Sequence, residues 1–385
     1  MLTNNINFKN FQITKKNTAG VHQLKKLLLE KNQVLSSFSK EYKDSFLKKN
    51  ILKFQKYNFV TIFGMGGSIL GAKSIYSFLR NKIKKNFIFR DNYDLKKENK
   101  KKKLNLIISK SGNTLETITN ANILISKNQS NIFITENSNS HLYKLAKKLK
   151  AEIVHHNNYI GGRYSVLSEV GMLPAILMGL NVNKFRSLNE LIKNKNFINS
   201  LVVNVSNTLS LIKKKKTNSI ILNYDEGSWD LFNWYQQLIA ESLGKKGLGL
   251  LPVISNAPKD HHSLLQLYLD GPKDKIFYII NSNDLRKSNK SKKIYGKKFN
   301  FLKNKPLSRI VSSQEKALLN VMKKKNIPFR KIEINNFSES SIGEFFSYFM
   351  VETILIGKML KINPFNQPSV EEVKILTKKY LNSFN

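Results

Sequence analysis

The chain is expected to fold as an α/β protein with two doubly wound parallel sheets in tandem, on three observations. Short apolar, β-branched runs alternate with helical stretches from about residue 58, the pattern of a parallel sheet covered on both faces. The alternation restarts beyond residue 213. With 385 residues, 41% of them hydrophobic, the chain has enough apolar content for two cores.

Taken in order, residues 1–57 read as helical and polar, with an amphipathic run from Val21 to about Leu52. NFVTIFG (58–64) is the first strand; it ends in glycines and leads into a helix reaching about Leu79. LNLIIS (104–109), NIFIT (131–135) and AEIV (151–154) are further strands, with helices at about 114–128 and 140–149. A helical stretch from Ser165 to about Leu180 and a polar helical region to about 213 follow. NSIILNY (218–224), LGLLPVI (248–254), KIFYIIN (275–281) and RKIEI (330–334) form the second strand set. Between its first two members lies the helix SWDLFNWYQQLIAESLG (228–244), closed by Gly244. The last segment reads as two helices broken at NPF (363–365). The expected division is a helical segment 1–57, α/β domains at 58–185 and 186–341, and a helical arm at 342–385.

Composition excludes several classes. With no cysteine there is no disulfide, thiolate-bound zinc, iron–sulfur cluster or thiol nucleophile. No run approaches about 18 uninterrupted apolar residues, so no membrane span is expected, and the first residues show no secretory signal; a soluble cytoplasmic protein is the expectation. Lys+Arg 65 against Asp+Glu 26 gives a formal charge of +39, a field that attracts anions. Only seven of those residues are Arg. Nucleic-acid readers favour arginine, whose fork grips phosphate and guanine edges. Here lysine is scattered beside abundant Asn and Ile, which fits codon drift better than a dedicated nucleic-acid surface.

Six motifs bear on chemistry. GMGGSILG (64–71) lies between a strand and a helix, aiming backbone N–H groups at an anion or simply making a tight turn. It fits neither a dinucleotide fingerprint nor a P-loop. SKSGNTLET (109–117) clusters Ser109, Lys110, Ser111 and Thr114 where a second helix begins, as helix cap or ligand group. Two such loops at strand ends line one crevice, which favours a phosphomonoester cradle. GGRYSVLSEVG (161–171) carries Arg163, either a fixed guanidinium or a surface turn. WYQQLIAESLGKKGLG (234–249) sets Glu241 near a helix end, either general base or solvated terminus. PKDHHSLLQ (258–266) holds His261 and His262, and His155 and His156 form a second pair; neither has metal-site spacing, so no metal is expected. NPFNQPSVEEVK (363–374) ends in Lys374.

Jointly and in order over roughly residues 58–380, these motifs resemble the phosphoglucose isomerase family. The resemblance implies two sugar-isomerase (SIS-type) domains with a C-terminal helical arm. It places the sugar phosphate at Ser68, Ser109, Lys110, Ser111 and Thr114, with Gly67 and Gln367 also touching substrate. It gives Arg163, Glu241, His262 and Lys374 the catalytic roles, with His262 chosen over His261 because the family's histidine directly precedes the serine. The implied reaction interconverts glucose 6-phosphate and fructose 6-phosphate without cofactor. His262, assisted by Lys374, opens the ring; Glu241 moves a proton between C2 and C1 through a cis-enediol; Arg163 supplies positive charge. The histidine comes from a neighbouring subunit, so a homodimer with shared sites is implied. A bifunctional phosphoglucose/phosphomannose isomerase and a non-catalytic sugar-phosphate-binding regulator are the alternatives.

Overall fold

The computed structural model describes residues 3–11, 18–30, 32–93, 102–282, 289–292 and 296–383. Both expected sheets form. The first contains β2 (Phe59–Phe63), β3 (Asn86–Arg90), β4 (Leu104–Ile108), β5 (Ser130–Thr135) and β6 (Glu152–His155), all parallel, in the order β3-β2-β4-β5-β6. The second contains β7 (Asn218–Asn223), β8 (Leu251–Asn256), β9 (Lys275–Ser282) and β10 (Phe329–Ile334), with β1 (Ile6–Lys9) added antiparallel beside β10. All five β4 residues are buried, as a central parallel strand covered on two faces requires.

Two strands differ from the sequence reading. β1 lies within the segment read as helical: its four residues find their partners in β10, more than 320 positions away, so no local pattern announces it. β3 is short and sits at the sheet edge among lysines. The run from Val21 to Leu52 is not one helix but three, Thr18–Leu29, Gln33–Ser36 and Lys48–Leu52. The second begins where the Asn32 side chain accepts the Val34 N–H at 2.8 Å. The C-terminal region also divides. Helix Glu339–Met359 is buried along nearly its whole length and belongs to the core, whereas helix Glu371–Ser383 buries none of its side chains.

The two sheets repeat one plan. β8-β7-β9-β10 is the spatial order β3-β2-β4-β5 over again, with β1 in the place of β6. After β2 the chain reads Gly64-Met65-Gly66-Gly67-Ser68, makes a short 3₁₀ turn and enters helix Leu70–Phe78. After β7 it reads Tyr224-Asp225-Glu226-Gly227-Ser228, makes the same turn and enters helix Trp229–Leu243. These two helices pack against each other, and Ser74 Oγ donates to the Asp230 carbonyl at 2.8 Å. Because they run antiparallel, the C-terminal end of Trp229–Leu243 arrives beside the Gly64–Ser68 loop of the first sheet. That crossing builds the site. Among the described residues no helix is long and apolar enough to cross a membrane.

Candidate active site

Arg163 lies at the centre. It is in the turn Gly162–Leu167, 2% exposed, and all five of its N–H groups have acceptors. Nε donates to Ser242 Oγ at 2.8 Å, Nη1 to Glu241 Oε2 at 3.1 Å and Gln367 Oε1 at 2.7 Å. Nη2 donates to the carbonyls of Pro364 at 2.7 Å and Asn366 at 3.1 Å. One guanidinium thus ties the first sheet's loop to the helix carrying Glu241 and to the NPFNQ segment. A lysine has neither the reach nor the planar fork for five such bonds.

Glu241 sits in the last turn of helix Trp229–Leu243 with both oxygens engaged. Oε2 faces Arg163, and Oε1 accepts from Gln237 Nε2 at 2.8 Å, one turn earlier on the same helix. A third of the Glu241 side chain remains open to solvent, so the carboxylate is fixed in direction yet reachable. Gln237 was not singled out in the sequence, where it reads as an ordinary polar helix position. Its amide lies where a Cβ on Gly66 would come within 2.6 Å, so glycine at 66, with φ of +52°, makes room for it. Lys245, also missed, closes the helix: Nζ donates to the carbonyls of Glu241, Ser242 and Asn363 at 2.8–2.9 Å. Burial, with a smaller push from Arg163, lowers its pKa to about 8.

The two glycine-bearing loops meet backbone to backbone. A Cβ on Gly67 would fall 2.1 Å from the carbonyl carbon of Gly162, so any side chain drives the loops apart. Gly67→Ala is expected to cost about 1–3 kcal/mol as overpacking against rigid backbone. A denaturation midpoint equal to that of the unsubstituted protein would contradict this contact.

The serine/threonine loop follows β4. Ser109 is buried and shares a 2.8 Å hydrogen bond with the Thr114 hydroxyl; Thr114 precedes helix Leu115–Leu124. Ser111 is exposed, and its Oγ accepts the Asn113 N–H at 3.3 Å around Gly112, whose φ is +63°. Lys110 Nζ donates to the Asn158 carbonyl at 2.7 Å. Ser68, in the turn opening helix Leu70–Phe78, is partly exposed. These groups stand at the C-terminal ends of β2 and β4, on either side of the point where the strand order reverses.

The remaining candidates lie apart. His262 is exposed beside the end of β8, an edge strand. Its neighbour His261 is half-buried, shares a 2.8 Å hydrogen bond between Nε2 and the Tyr224 hydroxyl, and has its pKa lowered by burial. Lys374 is exposed on helix Glu371–Ser383 and pairs with Glu371 at 2.6 Å. Among the described residues no hydrogen bond or ion pair joins His262 or Lys374 to the Arg163–Glu241 cluster. Gln367, expected to touch substrate, here accepts from Arg163 instead.

A family model described as phosphoglucose isomerase matches residues 29–250. A glucose-6-phosphate isomerase from Methanocaldococcus jannaschii is 32% identical, over 86% of this chain and 87% of that protein. One from Mycoplasmopsis pulmonis is also 32% identical, over 84% and 83%. In three dimensions, a hypothetical protein from Thermus thermophilus superposes with a TM-score of 0.82 at 22% identity, over 94% of both chains. A glucose-6-phosphate isomerase from Chlamydia trachomatis gives 0.75 at 16% identity, over 99% of this chain and 89% of the other, a likeness of fold. Model, relatives and architecture agree: the chain belongs to the phosphoglucose isomerase family.

Proposed function

We propose that this chain interconverts glucose 6-phosphate and fructose 6-phosphate in the cytoplasm, with Glu241 as the proton-transferring base. The observation that carries the reading is the Glu241 carboxylate. It is held on one oxygen by a buried arginine and on the other by Gln237, whose amide lies against Gly66 of the first glycine loop, and a third of its side chain stays open. Moving a hydrogen between C1 and C2 of the open-chain sugar leaves its overall oxidation state unchanged. The step therefore requires only a positioned base and positive charge near the enediolate oxygens. The carboxylate takes the C2 proton and returns it at C1. Arg163 contributes through its permanent charge and by fixing Glu241, because its N–H groups are already taken. Backbone N–H groups of the Met65–Gly67 stretch, the hydroxyls of Ser68, Ser109, Ser111 and Thr114, and Lys110 receive the phosphate, whose remote binding energy positions the reacting carbons.

Ring opening falls to His262 of a second copy, with Lys374 assisting. Supporting this homodimer, His262 is exposed beyond the end of the edge strand β8, and Leu248, Leu251 and Leu267 are exposed apolar residues of the same chain region. Val373, Leu376 and Tyr380 along one face of the last helix are likewise exposed, apolar surface of the kind that marks an interface.

The direct test couples fructose 6-phosphate conversion to a glucose-6-phosphate dehydrogenase readout; no conversion by the purified chain overturns the reading. For the phosphate site, a Ser111→Val, Thr114→Val double variant removes two hydroxyls. Hydrogen bonds to a charged group are worth about 1.5–3 kcal/mol each, so losing two is expected to raise KM at least about 100-fold. An unchanged KM would put the phosphate elsewhere.

A further inference from the structure

A fully buried carboxylate lies behind the site, and the proton chemistry does not use it. Glu169 opens helix Glu169–Leu177, where the helix N-terminus favours a negative charge. Its Oε1 accepts the Asn157 N–H at 2.6 Å and its Oε2 the Tyr42 hydroxyl at 3.1 Å. Asn157 in turn donates Nδ2 to the Tyr42 oxygen at 3.4 Å and accepts the Tyr159 N–H at 2.9 Å. His156 Nδ1 stands 3.9 Å from Glu169, but burial lowers its pKa to about 4, so at neutral pH the ring is uncharged and forms no ion pair. The carboxylate therefore clamps residues 157–159. That short stretch presents the Asn158 carbonyl, which takes one N–H of the Lys110 ammonium at 2.7 Å.

Lys110 has a competing partner. Glu136 lies 3.6 Å from its Nζ, and the lysine is only partly buried. If the Asn158 carbonyl moves away, the ammonium loses its 2.7 Å acceptor and the pull of Glu136 turns it to a carboxylate instead of an incoming phosphate. We propose that Glu169 is a positioning residue for phosphate recognition: by fixing Asn157 it holds the Asn158 carbonyl, and through it the Lys110 ammonium faces the crevice. The inference rests on Lys110 being a phosphate-binding group, as proposed above.

The test is steady-state kinetics on fructose 6-phosphate, with inhibition by inorganic phosphate measured in parallel. Glu169→Ala is expected to raise KM about tenfold and the phosphate inhibition constant by a similar factor, with kcat within about threefold. Glu169→Gln keeps an oxygen for the Asn157 N–H, and the Tyr42 hydroxyl turns to accept from the amide, so it restores most of the affinity. Should Glu169→Ala not fold, Glu169→Asp serves: the carboxyl group remains but is one methylene short of the loop, and KM rises about threefold. A folded Glu169→Ala or Glu169→Asp with unchanged KM and phosphate inhibition, or with kcat alone reduced, overturns the proposal. Lys110→Met separates the premise: unchanged KM there removes the phosphate reading and the proposal with it, whereas a raised KM beside an unaffected Glu169→Ala removes the positioning role alone.

Discussion

Replacing Glu241 by glutamine is expected to lower kcat by about 10²–10⁴-fold, the usual worth of a positioned general base, and to leave KM and thermal stability close to their original values. The structure supplies the reason for retained folding. An amide at 241 can keep its oxygen on Arg163 but then points its NH₂ at the Gln237 Nε2 donor. Gln237 Oε1 is buried without a hydrogen-bond partner, so turning that amide over presents an acceptor where one is now needed. The two amides then satisfy each other. Exchange of the C2 hydrogen with solvent is the direct measure, and a rate equal to the unsubstituted enzyme would remove Glu241 from the mechanism.

The second large effect is restored activity from two nearly inactive parents. Glu241→Gln and His262→Ala subunits are each expected to be almost silent. In a symmetric dimer with shared crevices, mixing them by random reassortment leaves half of the heterodimer crevices intact, about a quarter of full activity. His262 suits a role in trans: it is exposed beside an edge strand, while His261 is turned inward onto Tyr224. Verified heterodimers that remain inactive would place the ring-opening group in the same chain as Glu241. Greater damage from His261→Ala on cyclic substrate would mean that His262 is the wrong one of the two histidines.

The parallel strands other than β3 were legible because burial on both faces leaves continuous apolar runs, and the glycine loops because they interrupt those runs at strand ends. Arg163 was legible for another reason. In a chain so rich in lysine an arginine stands out, and several of them sit where an ammonium would fail. Of its seven arginines, Arg90, Arg163, Arg186 and Arg330 are buried. Arg186 forks onto Asp44 and Arg330 onto Glu352 by two bonds each. What stayed hidden were contacts that close only in three dimensions. Gln237 and Lys245 are common residues at common helix positions, and their meaning lies in Gly66 and in the carbonyl of Asn363. β1 has no local signal, since its pattern is completed by β10. The saturation of Arg163 was equally invisible: rarity marked the residue, but counting its acceptors required the fold.

The repeated plan of the two sheets bears on ancestry and on stoichiometry. A chain assembled from two copies of one βα unit begins with two equivalent crevices, one at each sheet's strand ends. Only the first still suits an anion. Where it has Met65 and Gly66, the second has Asp225 and Glu226, whose carboxylates repel phosphate. The second copy has kept a different use, since its helix crosses back and delivers Glu241 to the first copy's crevice, against the first copy's arginine. On the proposed assignment neither half holds a complete set of reacting groups. On that assignment the two halves act only together, and each chain is expected to take up one sugar phosphate, although its architecture provides two places that look alike.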